Sequence, residues 1–289
     1  MALLDKFFAS QSGAGERPKQ IGGYRLLTQI ASGPMSTVYL AEGRDGSQVV
    51  AKVLSEHGNR IAEKLSVKLK KPWEGERARP LSHPNVVRTL GCGKDKGHYY
   101  IVMEYLSGGS LAEHLRVHTP EIMKRRVEIL IGAANGLAYV HEKGIIHRDV
   151  CPKNMMFDRA GTVKLIDFGV AIHRYDRLRP TEVRTGRPSY LAPELIRHNR
   201  FNTQTDIYAF GVMLYEVFAG RRPFAADSRE ELMSLHLRAE PVPPSRIDPS
   251  ISPEMDRVTL RALAKTPHRR YRTMRQLIAG LVKLKGLPT

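Results

Sequence analysis

Four short stretches carry side chains that could do chemistry together, and they occur in one order. Val49-Val50-Ala51-Lys52 ends an apolar, β-branched run with a lysine. His147-Arg148-Asp149-Val150-Cys151-Pro152-Lys153-Asn154 sets an aspartate and an asparagine in a loop-like composition beside a proline. Asp167-Phe168-Gly169 follows another apolar run, and Ala192-Pro193-Glu194 comes last. The oxygen atoms of an Asn/Asp pair suit a hard cation. Taken singly, each residue has a plain reading, since a lysine ending a strand is usually solvated and an aspartate near a proline usually forms a turn. Joint occurrence in this order overrides it.

The order and spacing resemble the signature set of the protein kinases, and the resemblance runs from about Gly22 to Leu284. It implies phosphoryl transfer, in which a protein neutralises phosphate charge, places metal and aims the acceptor oxygen. By resemblance, Lys52 contacts the α- and β-phosphates of ATP and Asp149 accepts or orients the proton of the attacking hydroxyl. Asn154 and Asp167 hold Mg2+, with Mn2+ as the alternative. Asp206 resembles the aspartate that anchors the catalytic loop from below, and Glu194 with Arg270 resembles the buried ion pair that fixes the activation segment. Residues 33–38, Gly-Pro-Met-Ser-Thr-Val, are similar to the phosphate loop of bacterial Hanks-type Ser/Thr kinases. Residues 263–273, Leu-Ala-Lys-Thr-Pro-His-Arg-Arg-Tyr-Arg-Thr, are similar to the ending of their domain. The chain is identified as a member of that bacterial subfamily of eukaryotic-type kinases.

The same resemblance assigns the nucleotide cleft. Ile30, Ala31, Ser32 and Gly33 lie where families show G-x-G-x-x-G-x-V, and only Gly33 of the three glycines remains. Glycine lets backbone amides approach phosphate, whereas Pro34 removes one donor. Val38 and Ala51 form the adenine ceiling and Met156 its floor. Met103 is the gatekeeper, and the backbones of Glu104 and Leu106 bond adenine. Lys52 needs a glutamate partner on the third helix. Glu74 has the family spacing before Pro84 and Glu76 is the runner-up, although Pro72, Gly75 and Pro80 weaken a helix there.

Two positions depart together. Ser/Thr kinases of this type carry a lysine two residues after the catalytic aspartate and a threonine five residues before Ala-Pro-Glu; here these are Cys151 and Arg187. The expectation is that Arg187 reaches across to Asp149 and the γ-phosphate. Lys153 is the competing cation, and it sits where tyrosine kinases often have arginine, which leaves tyrosine specificity open. Thr181 and Thr185, amid Arg177, Arg179 and Arg184, are the expected autophosphorylation sites, their phosphates pairing with Arg148.

The elements that must position these residues are read from periodicity. Segments 24–30, 37–41, 48–54, 86–90 and 98–105 read as strands, with a helix over 59–71 whose apolar face is Ile61, Leu65 and Leu69. After Ser107-Gly108-Gly109 the pattern turns helical, over 121–143, 206–220, 229–238, 253–264 and 273–284, with short strands at 155–158 and 162–166. This is an α+β, bilobal arrangement: a flexible segment over 1–20, a small β-rich N-lobe over 21–106, and a larger, mainly helical C-lobe over 107–289, with the cleft between lobes.

Composition narrows the partners. The chain has 289 residues and net charge +17. The basic residues are spread along it with no zinc knuckle or aromatic-basic RNA motif, so acidic or phosphorylated protein partners are expected and no specific nucleic acid. Two cysteines without metal-ligand spacing fit a reduced, cytoplasmic protein. No run approaches the ~20 apolar residues of a membrane helix. A dimer for trans-autophosphorylation, a pseudokinase or nucleotide-binding scaffold, and a small-molecule phosphotransferase remain open alternatives.

Overall fold

The computed structural model describes residues 20–176, 187–198 and 200–284. Thr181, Thr185 and their neighbouring arginines at 177, 179 and 184 lie outside them, as does nearly all of the N-terminal segment.

One antiparallel sheet builds the first lobe, in the order β1–β2–β3–β4–β6–β5. Its strands are β1 (Gln20–Ile21), β2 (Tyr24–Ser32), β3 (Ser36–Glu42), β4 (Gln48–Leu54), β5 (Thr89–Asp95) and β6 (His98–Glu104). Alternation along β4 buries Val49, Ala51 and Val53 on one face. The opposite face then carries Lys52, which reaches Glu74 at the start of α2 (Glu74–Ala78), while α1 (Glu56–Glu63) follows the strand directly. Ser55 caps α1, accepting from the Gly58 amide at 3.2 Å.

The helical expectation over 59–71 is corrected. After α1 the chain widens into a π-helical turn at Lys64–Lys68 and leaves helix before Pro72. Gly58 and Ala62 face inward, while Ile61 and Leu69 are exposed. Any side chain at Gly58 would collide with the Met35 carbonyl, so close approach, not apolar content, chooses the inner face. The wider turn also shifts the 3.6-residue phase and carries Leu69 outward. The strand expected over 86–90 begins instead at Thr89. Val86 and Val87 are buried because they pair with Leu165 of the larger lobe, Val87 donating to its carbonyl at 3.0 Å.

The second lobe is helical: α3 (Leu111–Arg116), α4 (Pro120–Lys124), α5 (Arg126–Glu142), α6 (Pro193–His198), α7 (Thr203–Ala219), α8 (Arg229–Arg238), α9 (Pro253–Ala262) and α10 (Met274–Val282). The helix expected over 121–143 is interrupted at Arg125, whose ψ of 11° lies outside the helical range; the apolar pattern carries no record of that break. Helices α5 and α7 are apolar nearly all round and run through the core. Short strands β7 (Ile145–Ile146), β8 (Met155–Phe157), β9 (Val163–Leu165) and β10 (Ile172–His173) lie on this lobe and flank the functional loops. Among the described residues, no helix is long and apolar enough to cross a membrane.

Candidate active site

Lys52 Nζ lies 2.6 Å from Glu74 Oε1 and 3.0 Å from Asp167 Oδ1. Glu74 begins α2, which is the second α-helix of the chain rather than the third. Burial disfavours charge on Lys52, but the Glu74 and Asp167 carboxylates outweigh it and hold the ammonium above its usual value. Glu76 serves locally, its Oε2 accepting from the Trp73 amide at 3.3 Å in a capping box. Gly169 packs closely on this cluster: a Cβ there would lie 3.1 Å from Asp167 Oδ1, 3.3 Å from Glu74 Oε2 and 3.4 Å from Lys52 Nζ, so a larger residue would displace the ion pairs slightly.

Asp167 stands in the left-handed region, φ 64°, as does Arg148, φ 69°. Such backbone costs of order 1–3 kcal/mol and persists only where its surroundings fix it. Phe168 fixes Asp167 from one side, buried in the core with its ring 5.2 Å from that of His147. Asp206, 1% exposed on α7, fixes the other loop. Its two oxygens accept the backbone amides of His147 and Arg148, each at 2.8 Å, and His141 Nε2 donates to it at 2.8 Å. Burial pushes the Asp206 carboxyl up; the hydrogen bond and charge of His141 lead the groups that overcome this and hold it below the usual range.

On that loop Asn154 Nδ2 donates to the Asp149 carbonyl at 2.7 Å and to Asp149 Oδ2 at 2.8 Å. The amide nitrogen is therefore spent and the Asn154 oxygen is the atom left to ligate. Asp167 likewise uses Oδ1 for Lys52 and the Gly169 amide, leaving Oδ2. Two oxygen donors without a protein cage fit Mg2+, which binds through one or two side chains plus substrate phosphates and water. Among the described residues no group of three acidic, His or Cys side chains could hold a metal.

Most of the residues expected to surround the nucleotide lie on β2, β3, β4, β6 and β8. Val38, half-buried, pairs in register with Lys52 and shares its face of the sheet, while Met156 and Met103 are partly buried against the larger core. The expectation for Ala51 is corrected: it pairs with Tyr39 and Val102 and is fully buried on the other face in the small-lobe core, because side chains alternate along a strand, and the half-buried Val50, opposite Met103, stands on the Lys52 face instead. Ile30, Ala31, Ser32 and Gly33 are exposed along the end of β2 and its turn. Sequence reasoning missed what steadies that turn. Ser55 Oγ donates to the Pro34 carbonyl at 2.8 Å and the Ser55 amide to the Met35 carbonyl at 2.9 Å. An N-capping serine is a readable signal, but its contact with the turn is tertiary. At the other end of the cleft, the Glu104 side chain accepts from Lys164 Nζ at 3.0 Å and from the Arg88 amide, and its own amide donates to the Arg88 carbonyl. Leu106 is buried, and its amide meets no acceptor among the described residues, an orphaned donor that suits a purine acceptor.

Arg187 and Lys153 are placed differently. Arg187 Nε lies 3.6 Å from Asp149 Oδ1, whereas Lys153 is exposed and makes no ion pair among the described residues. The Glu194–Arg270 pair is buried and bidentate, both contacts at 2.7 Å.

The protein kinase domain model matches residues 24–280. A probable serine/threonine-protein kinase of Streptomyces coelicolor is 37% identical over 267 residues, covering 89% of this chain and 39% of its own. Serine/threonine-protein kinase PknB of Mycobacterium tuberculosis is 35% identical over 269 residues, covering 90% and 42%. Serine/threonine-protein kinase PrkC of Bacillus subtilis is 32% identical over 265 residues, covering 91% and 41%. The chain thus spans about two fifths of the length of the curated relatives it matches. With the signature residues converging between a curled sheet and a helical lobe, and the family model covering most of its length, this chain belongs to the protein kinase domain family.

Proposed function

We propose that the chain transfers the terminal phosphoryl group of ATP to serine or threonine hydroxyls of protein substrates, including those of its own activation segment. The observation that carries this reading is the convergence of the Lys52–Glu74–Asp167 cluster with the Asp149–Asn154 pair on one cleft. Val38, Val50 and Met156 sandwich the adenine, Val50 replacing Ala51 because it shares the Lys52 face of β4, with Met103 behind it and the Glu104 carbonyl and Leu106 amide at its edge. Residues Ile30, Ala31, Ser32 and Gly33 cover the phosphates, and Lys52 neutralises the α- and β-phosphates. Asn154 and Asp167 hold Mg2+, which when bound supplies positive charge between the phosphates. Asp149 receives the proton of the acceptor hydroxyl as that oxygen bonds to the γ-phosphorus, and the bridging oxygen leaves with ADP. The net charge of +17 favours acidic substrates, and a second copy of the chain is the partner for autophosphorylation in trans.

Incubation with radiolabelled ATP and Mg2+, followed by mass spectrometry, tests the reading. Wild type is expected to label itself first at Thr181 and second at Thr185. Lys52→Met and Asp167→Ala should each lower transfer by ~10²-fold or more with far-UV dichroism unchanged. Near wild-type turnover by folded Asp167→Ala would refute the metal assignment, and replacing Mg2+ by Mn2+ shows which ion the site prefers.

A further inference from the structure

We propose that Arg187 is the cation that meets the transferring phosphoryl group, brought to it by the turn ahead of Ala192-Pro193-Glu194 instead of by the catalytic loop. This rests on the kinase reading above. Arg187 Nε approaches Asp149 Oδ1 at 3.6 Å, yet it is buried and makes no hydrogen bond. The Arg187 side chain as a whole is 42% exposed, so it is open to a bound group while its Nε is covered. The side chain it lies against is Cys151, buried two residues beyond Asp149. Burial first, and the Asp149 charge second, push the Cys151 thiol up, so it is neutral near pH 7 and supplies no charge.

Other cations near the site are committed elsewhere or face away. Lys52 is held by two carboxylates, Arg148 lies over the Phe201 ring at 5.3 Å, and Lys153 is exposed on the three-residue turn Pro152–Asn154. Arg187, in contrast, is fixed by the residues on its C-terminal side. It precedes the 3₁₀ turn Pro188–Tyr190, its carbonyl accepting from the Tyr190 amide at 2.9 Å. Tyr190 OH donates to Glu216 on α7, and Arg222 donates to Ser189 Oγ. The cation is therefore part of a pinned turn and not of the loop that carries Asp149. When the γ-phosphorus–bridging-oxygen bond breaks and the acceptor-oxygen bond forms, the charge on the moving phosphoryl oxygens meets this guanidinium while the hydroxyl proton passes to Asp149. Transfer then depends on the placement of that turn, whereas adenine and α,β-phosphate binding do not.

The experiment compares wild type, Arg187→Thr and Cys151→Lys/Arg187→Thr, using casein as acceptor and Mg2+ with ATP or ADP. Arg187→Thr is expected to lose ~10³-fold in kcat, to bind ADP as wild type does, and to lose its preference for ATP over ADP. The double variant is expected to recover much of the lost turnover, since a lysine at 151 restores a cation beside Asp149. Wild-type turnover by Arg187→Thr overturns the proposal. So does a loss of turnover with the ATP-over-ADP preference intact, which marks a purely structural role; this readout decides alone if the double variant does not fold. A wild type that binds both nucleotides and transfers nothing would instead overturn the kinase reading itself.

Discussion

His236 should make the substrate-facing lobe lose stability as pH falls from 7 to 5. The imidazole is fully buried on α8, where Tyr208 OH donates to its Nδ1 at 2.9 Å and the Phe224 ring packs edge-on at 5.1 Å. Burial leads the shift, the Lys265 and Arg222 cations add to it, and a backbone contact with Ser189 opposes it; together they lower His236 from near 6.5 to about 4. Linkage fixes the sign. Between these values the unfolded chain binds a proton that the folded chain does not, so stability is full above about pH 6.5 and is lost as pH falls toward 4. Two and a half units at about 1.4 kcal/mol each give ~3 kcal/mol over the whole window, of which ~2 kcal/mol falls between pH 7 and pH 5. Lys265, lowered chiefly by burial to about 8, titrates outside the window. Urea unfolding followed by far-UV dichroism at the two pH values reads the helical lobe. Trp73, the sole tryptophan, sits in the smaller lobe and reports on it separately. His236→Gln keeps an acceptor for Tyr208 without a group that titrates here, and comparing its pH dependence with wild type removes the contribution of every other group. If wild type and His236→Gln lose stability in parallel between pH 7 and pH 5, the reasoning is wrong.

Two further substitutions probe what holds the site. Glu74→Gln should lower kcat/KM by ~10²-fold, the scale for removing one preorganised electrostatic partner, while Glu76→Gln, whose amide oxygen can still cap Trp73, should stay within about 0.5 kcal/mol in stability and near wild type in turnover; equal losses would remove the distinction. Arg270→Met should cost ~3–5 kcal/mol in urea unfolding, because it strands the Glu194 carboxylate with its buried partner gone, and a change under 1 kcal/mol would show that the pair is not structurally important.

Much of this protein is determined within the sequence itself. Strand β4 and helix α8 end where alternation, helical spacing and the capping serine at 228 place them, because those signals act between near neighbours. Lys52, Asp149, Asn154 and Asp167 are recognisable because phosphate, metal and proton chemistry restrict the residue types, and the order of four motifs restricts the chance of coincidence. Tertiary structure decided the rest. Ile61 and Leu69 face solvent because Gly58 must sit against the Met35 carbonyl and a π turn shifts the helical phase, and neither is written in the apolar pattern. Val86 and Val87 read as a strand of the first lobe but pair with Leu165, since pairing partners distant in sequence leave no local trace. The Cys151 and Arg187 substitutions are visible one at a time. Their 3.6 Å consequence, a cation beside Asp149 that reaches it from a different segment, exists only once the turn pinned by Tyr190 and Glu216 brings two parts of the chain together.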